Sequence, residues 1–452
     1  MNTPQFGWLA IIRLGLIQAC LGAVVVVTTS TLNRIMVVEL ALPALLPGFL
    51  VAWHYLVQLV RPRMGFGADQ GRRCTPWMMG GMLVLGLGGV LAAAAVGWMQ
   101  NAPVAGTVLA WLSFSLIGLG VSACGTSLLA LMAKHVPADR RAPAATTVWM
   151  MMILGFAVTA GVVGKLIDPY SPLLLLKVSA GLSLVTTVLT AVSLWRLEKH
   201  GEGQTLAESH ERSHVSGIPQ NFKAALHEVG TDPQARTFTI FVFMSMLAYN
   251  AQDLILEPFA GAVHGLTPGQ TTQLSGWHHL GVLVGMLTVA AAGSRWVRGR
   301  WGSVQSWMVG GCLASALSTV GLCCAALSSH WPLPANVVLL GVANGAFSIA
   351  AIATMMRLAG EGGAGREGTR MGLWGAAQAL AFGLGGLLGT AASDLAHVLL
   401  GESRPAYAAV FILQAVMFAV SAGVASRLQT PPVPQRVQAY DGAALLKGGS
   451  TS

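Results

Sequence analysis

Twelve apolar segments, each close to the length of a membrane-crossing helix, dominate this sequence. A bilayer core needs about 20 predominantly apolar residues of α-helix to cross it. The chain is 54% hydrophobic and only 10% charged, a composition unlike that of a soluble globular protein. We expect the segments at residues 8–29, 43–60, 76–98, 104–133, 145–166, 173–195, 237–258, 273–292, 304–326, 335–359, 371–396 and 405–426. The pattern predicts an all-α polytopic membrane protein with twelve transmembrane helices.

Two polar stretches divide the chain. One separates the first six segments from the last six, and the other follows the twelfth segment and contains three prolines. The predicted organisation is an N-terminal six-helix half (1–195), a cytoplasmic linker (196–235), a C-terminal six-helix half (236–426) and a cytoplasmic tail (427–452).

The basic residues predict how the chain is oriented. Cytoplasmic loops of membrane proteins carry an excess of Lys and Arg. With the N-terminus inside, 21 of the 26 basic residues fall in inside loops, and the exceptions are Arg13, Arg34, Lys165, Lys177 and Arg404. Both termini and the linker are therefore expected on the cytoplasmic side of the cytoplasmic (inner or intracytoplasmic) membrane. The net charge of +9 then reflects topology in a lipid bilayer, with no nucleic-acid partner expected.

Six plus six segments around a cytoplasmic linker is the layout of the major facilitator fold, in which two pseudo-symmetric halves face each other. The loop after the second segment resembles the loop motif of that superfamily. It contributes Gly65, Asp69, Gly71, Arg72 and Arg73, with one residue fewer between the Asp and the following Gly. Such loops connect helix ends by charge pairing, so we expect a structural or gating role.

Two carboxylates stand out in the seventh segment. Asp253 and Glu257 are four residues apart, which places both on one helical face, and Gln252 lies beside them. Ionisable groups within a membrane are costly and mark functional sites by default. Pro258 is expected to stop or kink the helix, so that the carboxylates lie near its end.

A second polar cluster follows the first segment, the counterpart of the seventh in the other half. It consists of Asn33, Arg34 and Glu39. Both clusters are expected near the same, non-cytoplasmic surface. We hypothesise that Arg34 pairs with Asp253 or Glu257 across the two halves. A structural clasp and a ligand site or gate both remain open.

Three histidines are candidate axial ligands for the metal of a tetrapyrrole. His54 lies in the second segment, and His278 and His279 lie in the eighth, its counterpart. One imidazole can ligate such a metal, although a hydrogen-bonded core histidine is the other interpretation. The six cysteines form no CxxC pair, and no site for a free metal ion is expected.

The remaining segment interiors are rich in Leu, Val, Ala, Gly and Met, which favours an apolar ligand over a sugar or an ion. The GxxxG spacings Gly281–Gly285, Gly341–Gly345 and Gly385–Gly389 are typical of close helix packing.

An enzymatic role such as prenyl transfer would need clustered aspartates to hold magnesium and diphosphate. Asp69 and Asp139 stand alone in their loops, so catalysis is not expected. Transport of a small apolar solute remains an alternative.

Two stretches resemble the signatures of a known family. Residues 31–40 (TLNRIMVVEL) followed by Pro43, and residues 252–261 (QDLILEPFAG), are similar to the paired signatures of the PucC/LhaA family. These are bacteriochlorophyll-delivery proteins, a branch of the major facilitator superfamily. The chain departs from the family at Phe259–Gly261, where an aromatic-Gly-Gly run is usual, and in its shorter second loop. It is also similar to the branch once labelled a bacteriochlorophyll synthase chain.

The resemblance implies a membrane assembly factor with bacteriochlorophyll as its cargo. Such a protein would hand the pigment to light-harvesting or reaction-centre polypeptides, or associate with bacteriochlorophyll synthase. The polar clusters shared with the family correspond here to Asn33, Arg34, Glu39, Gln252, Asp253 and Glu257.

Overall fold

The computed structural model describes residues 6–61, 74–136, 138–198, 232–292, 303–361 and 367–428. The loop motif (Gly65, Asp69, Gly71, Arg72 and Arg73), most of the linker and nearly all of the tail lie outside these ranges. Twelve helices are named here in chain order: α1 Trp8–Glu39, α2 Leu45–Val60, α3 Thr75–Met99, α4 Pro103–His135, α5 Ala138–Leu166, α6 Pro172–Leu194, α7 Pro233–His264, α8 Pro268–Ala292, α9 Val304–Leu327, α10 Leu333–Glu361, α11 Glu367–Leu400 and α12 Ser403–Ala425.

All twelve predicted segments are helical, and within the described ranges there is no β-strand. Eleven of the helices are long and apolar enough to cross a membrane, and α2 is a shorter apolar helix. Large apolar side chains such as Val104, Leu317 and Val398 are more than two-thirds exposed, as expected for surfaces that face lipid.

The first helix is longer than predicted. It does not end near residue 29 but continues to Glu39 through two π-helical turns, Val27–Thr31 and Ile35–Glu39. Single π-helical turns widen a helix locally and are frequent at functional sites. As a consequence, Asn33 and Arg34 lie within a membrane helix and are buried rather than placed in a loop.

The seventh helix does not stop at Pro258. It runs on to His264 and ends at Gly265, which has a left-handed φ of 67°. Asp253 and Glu257 therefore lie inside the helix and not at its end, contrary to expectation. Proline has no N–H to donate to the carbonyl four residues earlier, here that of Leu254. The Asn33 side chain of α1 donates to this freed carbonyl at 2.6 Å.

Each half has an apolar core of its own. One core consists of side chains of α1–α6, such as Met82, Leu85 and Cys124, together with Leu254 of α7. Two further clusters fill the second half, around Phe238 and Phe347 and around Phe259 and Phe411. The cores meet at the seam, where Leu254 of α7 joins the first and Ile153 of α5 joins the second. Two six-helix halves that face each other are the arrangement of a major facilitator fold.

The seam between the halves is closest towards the end of the bundle opposite the linker, which we call the far end. There the backbones of α5 and α8 nearly touch, because a Cβ on Gly269 would lie 2.3 Å from the Gly164 carbonyl oxygen. In the α2–α11 pair, a Cβ on Gly48 would lie 2.0 Å from Thr390 Oγ1. The seam is therefore a tight interface at this level.

The GxxxG glycines mediate packing within the second half. Gly281 and Gly285 of α8 face Gly341 and Gly345 of α10, with opposing backbones in contact. Gly385 and Gly389 of α11 pack on Leu247 and Ala251 of α7. These spacings thus serve close packing inside the bundle, as the sequence indicated.

Gly345→Ala should destabilise the protein by about 1–3 kcal/mol, because the added Cβ would overpack α8 against α10. That Cβ would lie 2.0 Å from the Val282 carbonyl oxygen. The matched control is Gly310→Ala in α9, where a Cβ meets nothing within 4 Å. Thermal unfolding in mild detergent should show a lower Tm for Gly345→Ala alone. Equal Tm values for the two variants would contradict the close packing.

Candidate functional site

Arg34 is the buried cation of the far end, and its partners differ from those expected. It forms an ion pair with Glu39 of its own helix, and its Nη2 donates to the Leu266 carbonyl oxygen at 2.7 Å. The predicted ion pair with Asp253 or Glu257 is wrong. The guanidinium also lies against Gly261, where a Cβ would come within 2.9 Å of it. Arg34 therefore connects the two halves through backbone contacts of the α7–α8 corner.

Glu257 lies in a cluster of hydroxyl groups contributed by both halves. Its side chain is buried, and Thr272 Oγ1 lies 3.4 Å from Oε2. Thr272 also contacts Thr31 of α1 at 3.0 Å. Oε1 has no hydrogen-bond partner among the residues that the structure describes. We call Asn33, Arg34, Glu39 and Glu257 the far-end group, since all four lie where α1 crosses α7 and α8.

A cavity of about 460 Å³ opens beside the far-end group. Its lining includes Arg34, Glu39 and Tyr170. Burial, with a further contribution from the Glu39 carboxylate, raises the pKa of Tyr170 to about 12. The phenol therefore stays neutral at physiological pH and lines the cavity as a polar, uncharged group.

Gln252 and Asp253 belong to a different group, in the interior of the second half. Ser315 donates to Asn344 Oδ1 at 2.8 Å, and Asn344 Nδ2 lies 3.0 Å from Gln252 Oε1 and 3.3 Å from His278 Nε2. His278 Nδ1 in turn lies 3.9 Å from Asp253 Oδ1. We call Gln252, Asp253, His278, His279 and Asn344 the inner group.

Aromatic side chains from both halves lie beside the inner group. The Tyr55 ring of α2 lies 5.6 Å from Phe382 of α11, and Tyr249 of α7 lies 6.3 Å from Phe382 and 6.2 Å from His278, measured between ring centroids. Tyr55, Tyr249 and Phe382 are only partly buried, and we call them the aromatic cleft. Their rings provide flat apolar faces between the halves, next to Asp253.

The three candidate axial ligands differ in which ring nitrogen is free to bind a metal. Arg61 donates to Gln58 Oε1, which turns the Gln58 amide nitrogen towards His54 Nε2 at 2.7 Å. His54 Nε2 must then accept, so its proton is on Nδ1 and neither nitrogen offers a free lone pair. His279 has the opposite arrangement. Its Nδ1 donates to the Ser275 carbonyl oxygen at 2.8 Å, which leaves the Nε2 lone pair available.

The six polar residues singled out in the sequence thus divide between two groups about one to two helical turns apart on α7. His278 and His279 join the inner group, whereas His54 lies elsewhere, in α2. Two further residues were missed. Asn344 is central to the inner group, and Asp394 accepts from the backbone N–H groups of Ala44 and Leu45 at 2.9 and 2.7 Å. An Asn near the middle of the tenth apolar segment was the signal available for the first.

The interior of the second half is also more polar than the sequence suggested. Ser315, Thr319 and Asn344 are fully buried in α9 and α10. An interior of Leu, Val, Ala, Gly and Met was expected, and these three buried polar residues depart from it.

Solved structures place the fold in a known class. A bacterial homologue of the lysosomal transporter Spinster, in an inward-facing and unoccupied conformation, covers 94% of this chain and 98% of its own, with a TM-score of 0.63 at 13% identity. A peptide transporter POT variant bound to alafosfalin covers 95% and 98%, with a TM-score of 0.66 at 15% identity. The chain is a multi-pass membrane protein with the major facilitator fold.

Sequence comparison then identifies the family. The PUCC protein family model matches residues 31–432, so the chain belongs to the PUCC family. A relative from Rhodobacter capsulatus, the "Bacteriochlorophyll synthase 44.5 kDa chain", is 49% identical over 420 residues, covering 93% of this chain and 95% of the relative. The "Protein PucC" of the same species is 28% identical over 431 residues, with coverages of 91% and 90%. The family resemblance predicted from residues 31–40 and 252–261 is confirmed.

Charge reversal should reveal the true partner of Arg34. Arg34→Glu places a second carboxylate beside Glu39 and should lower the Tm in detergent. Adding Glu39→Arg restores an opposite-charge pair and should recover part of the loss, whereas adding Glu257→Arg should recover none. Recovery with Glu257→Arg in place of Glu39→Arg would contradict the pairing described here.

Proposed function

We propose that this protein is an assembly factor that binds bacteriochlorophyll in the membrane and delivers it to pigment-binding polypeptides. Family membership is the observation that carries the proposal, because the relative at 49% identity bears the name of a bacteriochlorophyll synthase chain and more distant relatives are named PucC. A role connected with bacteriochlorophyll follows from these names. Delivery of the pigment to a polypeptide goes beyond these names and is our own proposal.

The aromatic cleft is the proposed location of the pigment ring. A tetrapyrrole is a large, flat and mostly apolar ligand with a few polar groups at its edge. Such ligands favour apolar pockets with a small number of well-placed polar contacts. Tyr55, Tyr249 and Phe382 offer ring faces for stacking, and the two tyrosine hydroxyls can donate to carbonyl groups at the ring edge.

The polar groups on either side of the cleft are proposed to hold the pigment or to gate access to it. Gln252 and Asp253 lie in the inner group beside the cleft. At the far end Asn33 and Arg34 hold the halves together, and Glu39 and Glu257 lie beside them. Among the three candidate axial ligands, His279 is the one whose Nε2 lone pair is free, so it ranks ahead of His278 and His54.

We propose that the protein is not an enzyme, and that a synthase name in the family reflects association with the synthase. The described residues provide no group of aspartates of the kind that holds magnesium and diphosphate in prenyl transfer. The proposed partners are light-harvesting or reaction-centre polypeptides and bacteriochlorophyll synthase. The proposed location is the cytoplasmic membrane, with both termini inside, on the distribution of Lys and Arg.

Transport of a small apolar solute is the second candidate function. The structures that share this fold include transporters, and the buried row of Ser315, Asn344 and Gln252 gives the second half polar groups that a solute could contact. Family membership favours the pigment.

The test is an absorption spectrum of the protein purified in mild detergent from a host that makes bacteriochlorophyll. We expect about one pigment per chain. Tyr249→Leu removes one stacking face and should weaken binding by about 1 kcal/mol. Trp98→Leu is the matched control, because Trp98 is 57% exposed on the outer surface and should not affect pigment content.

His54→Ala should also leave the pigment content unchanged, because neither His54 ring nitrogen has a free lone pair. Protein that carries no pigment but moves a small solute into vesicles would contradict the pigment proposal and favour transport.

A further inference from the structure

The Asp253 carboxylate lies inside the bundle without a permanently charged partner. Its side chain is 17% exposed, and within the described ranges its ion-pair partner is His278, at 3.9 Å, beyond hydrogen-bonding distance. Arg34, a buried cation of α1, is engaged by Glu39 and the Leu266 carbonyl oxygen. Carboxylates within a membrane are normally paired with a cation or bound to one.

Three potential metal ligands converge at this carboxylate. One ligand atom from each of Asp253, His278 and His279 lies within 4.8 Å of the others. The two imidazoles are buried, with 0% and 2% exposure. Two imidazoles and one carboxylate are the donor set that proteins use for divalent transition metals with open coordination positions.

His279 is already arranged as a ligand. Its Nδ1 donates to the Ser275 carbonyl oxygen of the preceding helical turn, which fixes both the ring orientation and the tautomer. Metal-bound histidines typically have such a bond on the nitrogen that does not bind the metal. The Nε2 lone pair is left for a ligand.

His278 provides a second, independent observation that points to a ligand. Its Nδ1 is fully buried and has no hydrogen-bond partner among the described residues. Its other nitrogen faces the amide of Asn344, which contacts the amide of Gln252. With both amides reversed, Asn344 Oδ1 accepts from Gln252 Nε2–H and His278 Nε2–H, while Asn344 Nδ2 donates to Ser315 Oγ, which now accepts. The His278 Nδ1 lone pair is then left facing Asp253.

We propose that Asp253, His278 and His279 form a binding site for a divalent metal centre, with His279 Nε2 as its first ligand. Two sources share this chemistry. A free transition-metal ion would use all three donors, whereas the magnesium of a tetrapyrrole would take His279 alone as its axial ligand. The second source rests on the proposed function, and the first does not.

The experiment begins with protein made in a host without bacteriochlorophyll and titrated with Co²⁺, whose visible absorption reports nitrogen and oxygen ligands. If the source is a free ion, about one Co²⁺ binds per chain. His279→Ala, His278→Ala and Asp253→Asn then each weaken binding by about tenfold or more. His54→Ala is the control and leaves Co²⁺ binding unchanged.

The second arm uses protein from the pigment-producing host. If the source is a tetrapyrrole, His279→Ala changes the pigment's absorption or removes it, while Asp253→Asn and His278→Ala retain the ligation. Wild-type protein without any pigment would contradict the proposed function and leave the Co²⁺ result to decide the metal site.

A measurement on the unaltered protein avoids dependence on variants that fold poorly. X-ray absorption of the Zn²⁺-treated wild type should show two imidazole ligands for a free-ion site. The proposal is overturned if zinc shows no imidazole ligation and neither Co²⁺ nor pigment responds to His279→Ala.

Discussion

The hydrogen bond from Asn33 to the Leu254 carbonyl is the interaction on which the arrangement of this seam depends. Pro258 removes the N–H that would satisfy that carbonyl inside α7, and a buried carbonyl without a partner costs about 1–3 kcal/mol. The amide of Asn33, presented between two π-helical turns of α1, satisfies it at 2.6 Å. The helix can thus pass through a proline within the membrane because the other half supplies the missing donor.

This bond explains why the two signature stretches belong together. One contributes the proline that frees a carbonyl, and the other contributes the amide that satisfies it. Once α1 is held against α7 at this point, Arg34 can reach the Leu266 carbonyl and Thr31 can reach Thr272. The same register turns Asp253 away from α1 and towards His278, so the carboxylates on α7 have different surroundings.

The sequence predicted the helical class, the number of spans and the family well, because apolar segments near the length of a bilayer leave a chain few alternatives. It also located the polar residues of α1 and α7 that form parts of the far-end and inner groups. It did not predict the length of these two helices. Pro258 and the polar residues after position 29 indicated helix ends. In the structure both helices continue, because contacts with the opposite half satisfy these polar groups. The partner of Arg34 could not be found from sequence either, because two π-helical turns bring Glu39 within its reach.

The Asn33 bond is tested most directly by a double-mutant cycle of Asn33→Leu and Pro258→Ala, with the free energy of unfolding measured in mild detergent. Alanine at position 258 restores the N–H that bonds to the Leu254 carbonyl inside the helix. Asn33→Leu should therefore be costly in the natural background and cost about 1–2 kcal/mol less beside Pro258→Ala. Equal costs in the two backgrounds would contradict the role assigned to the proline and its partner.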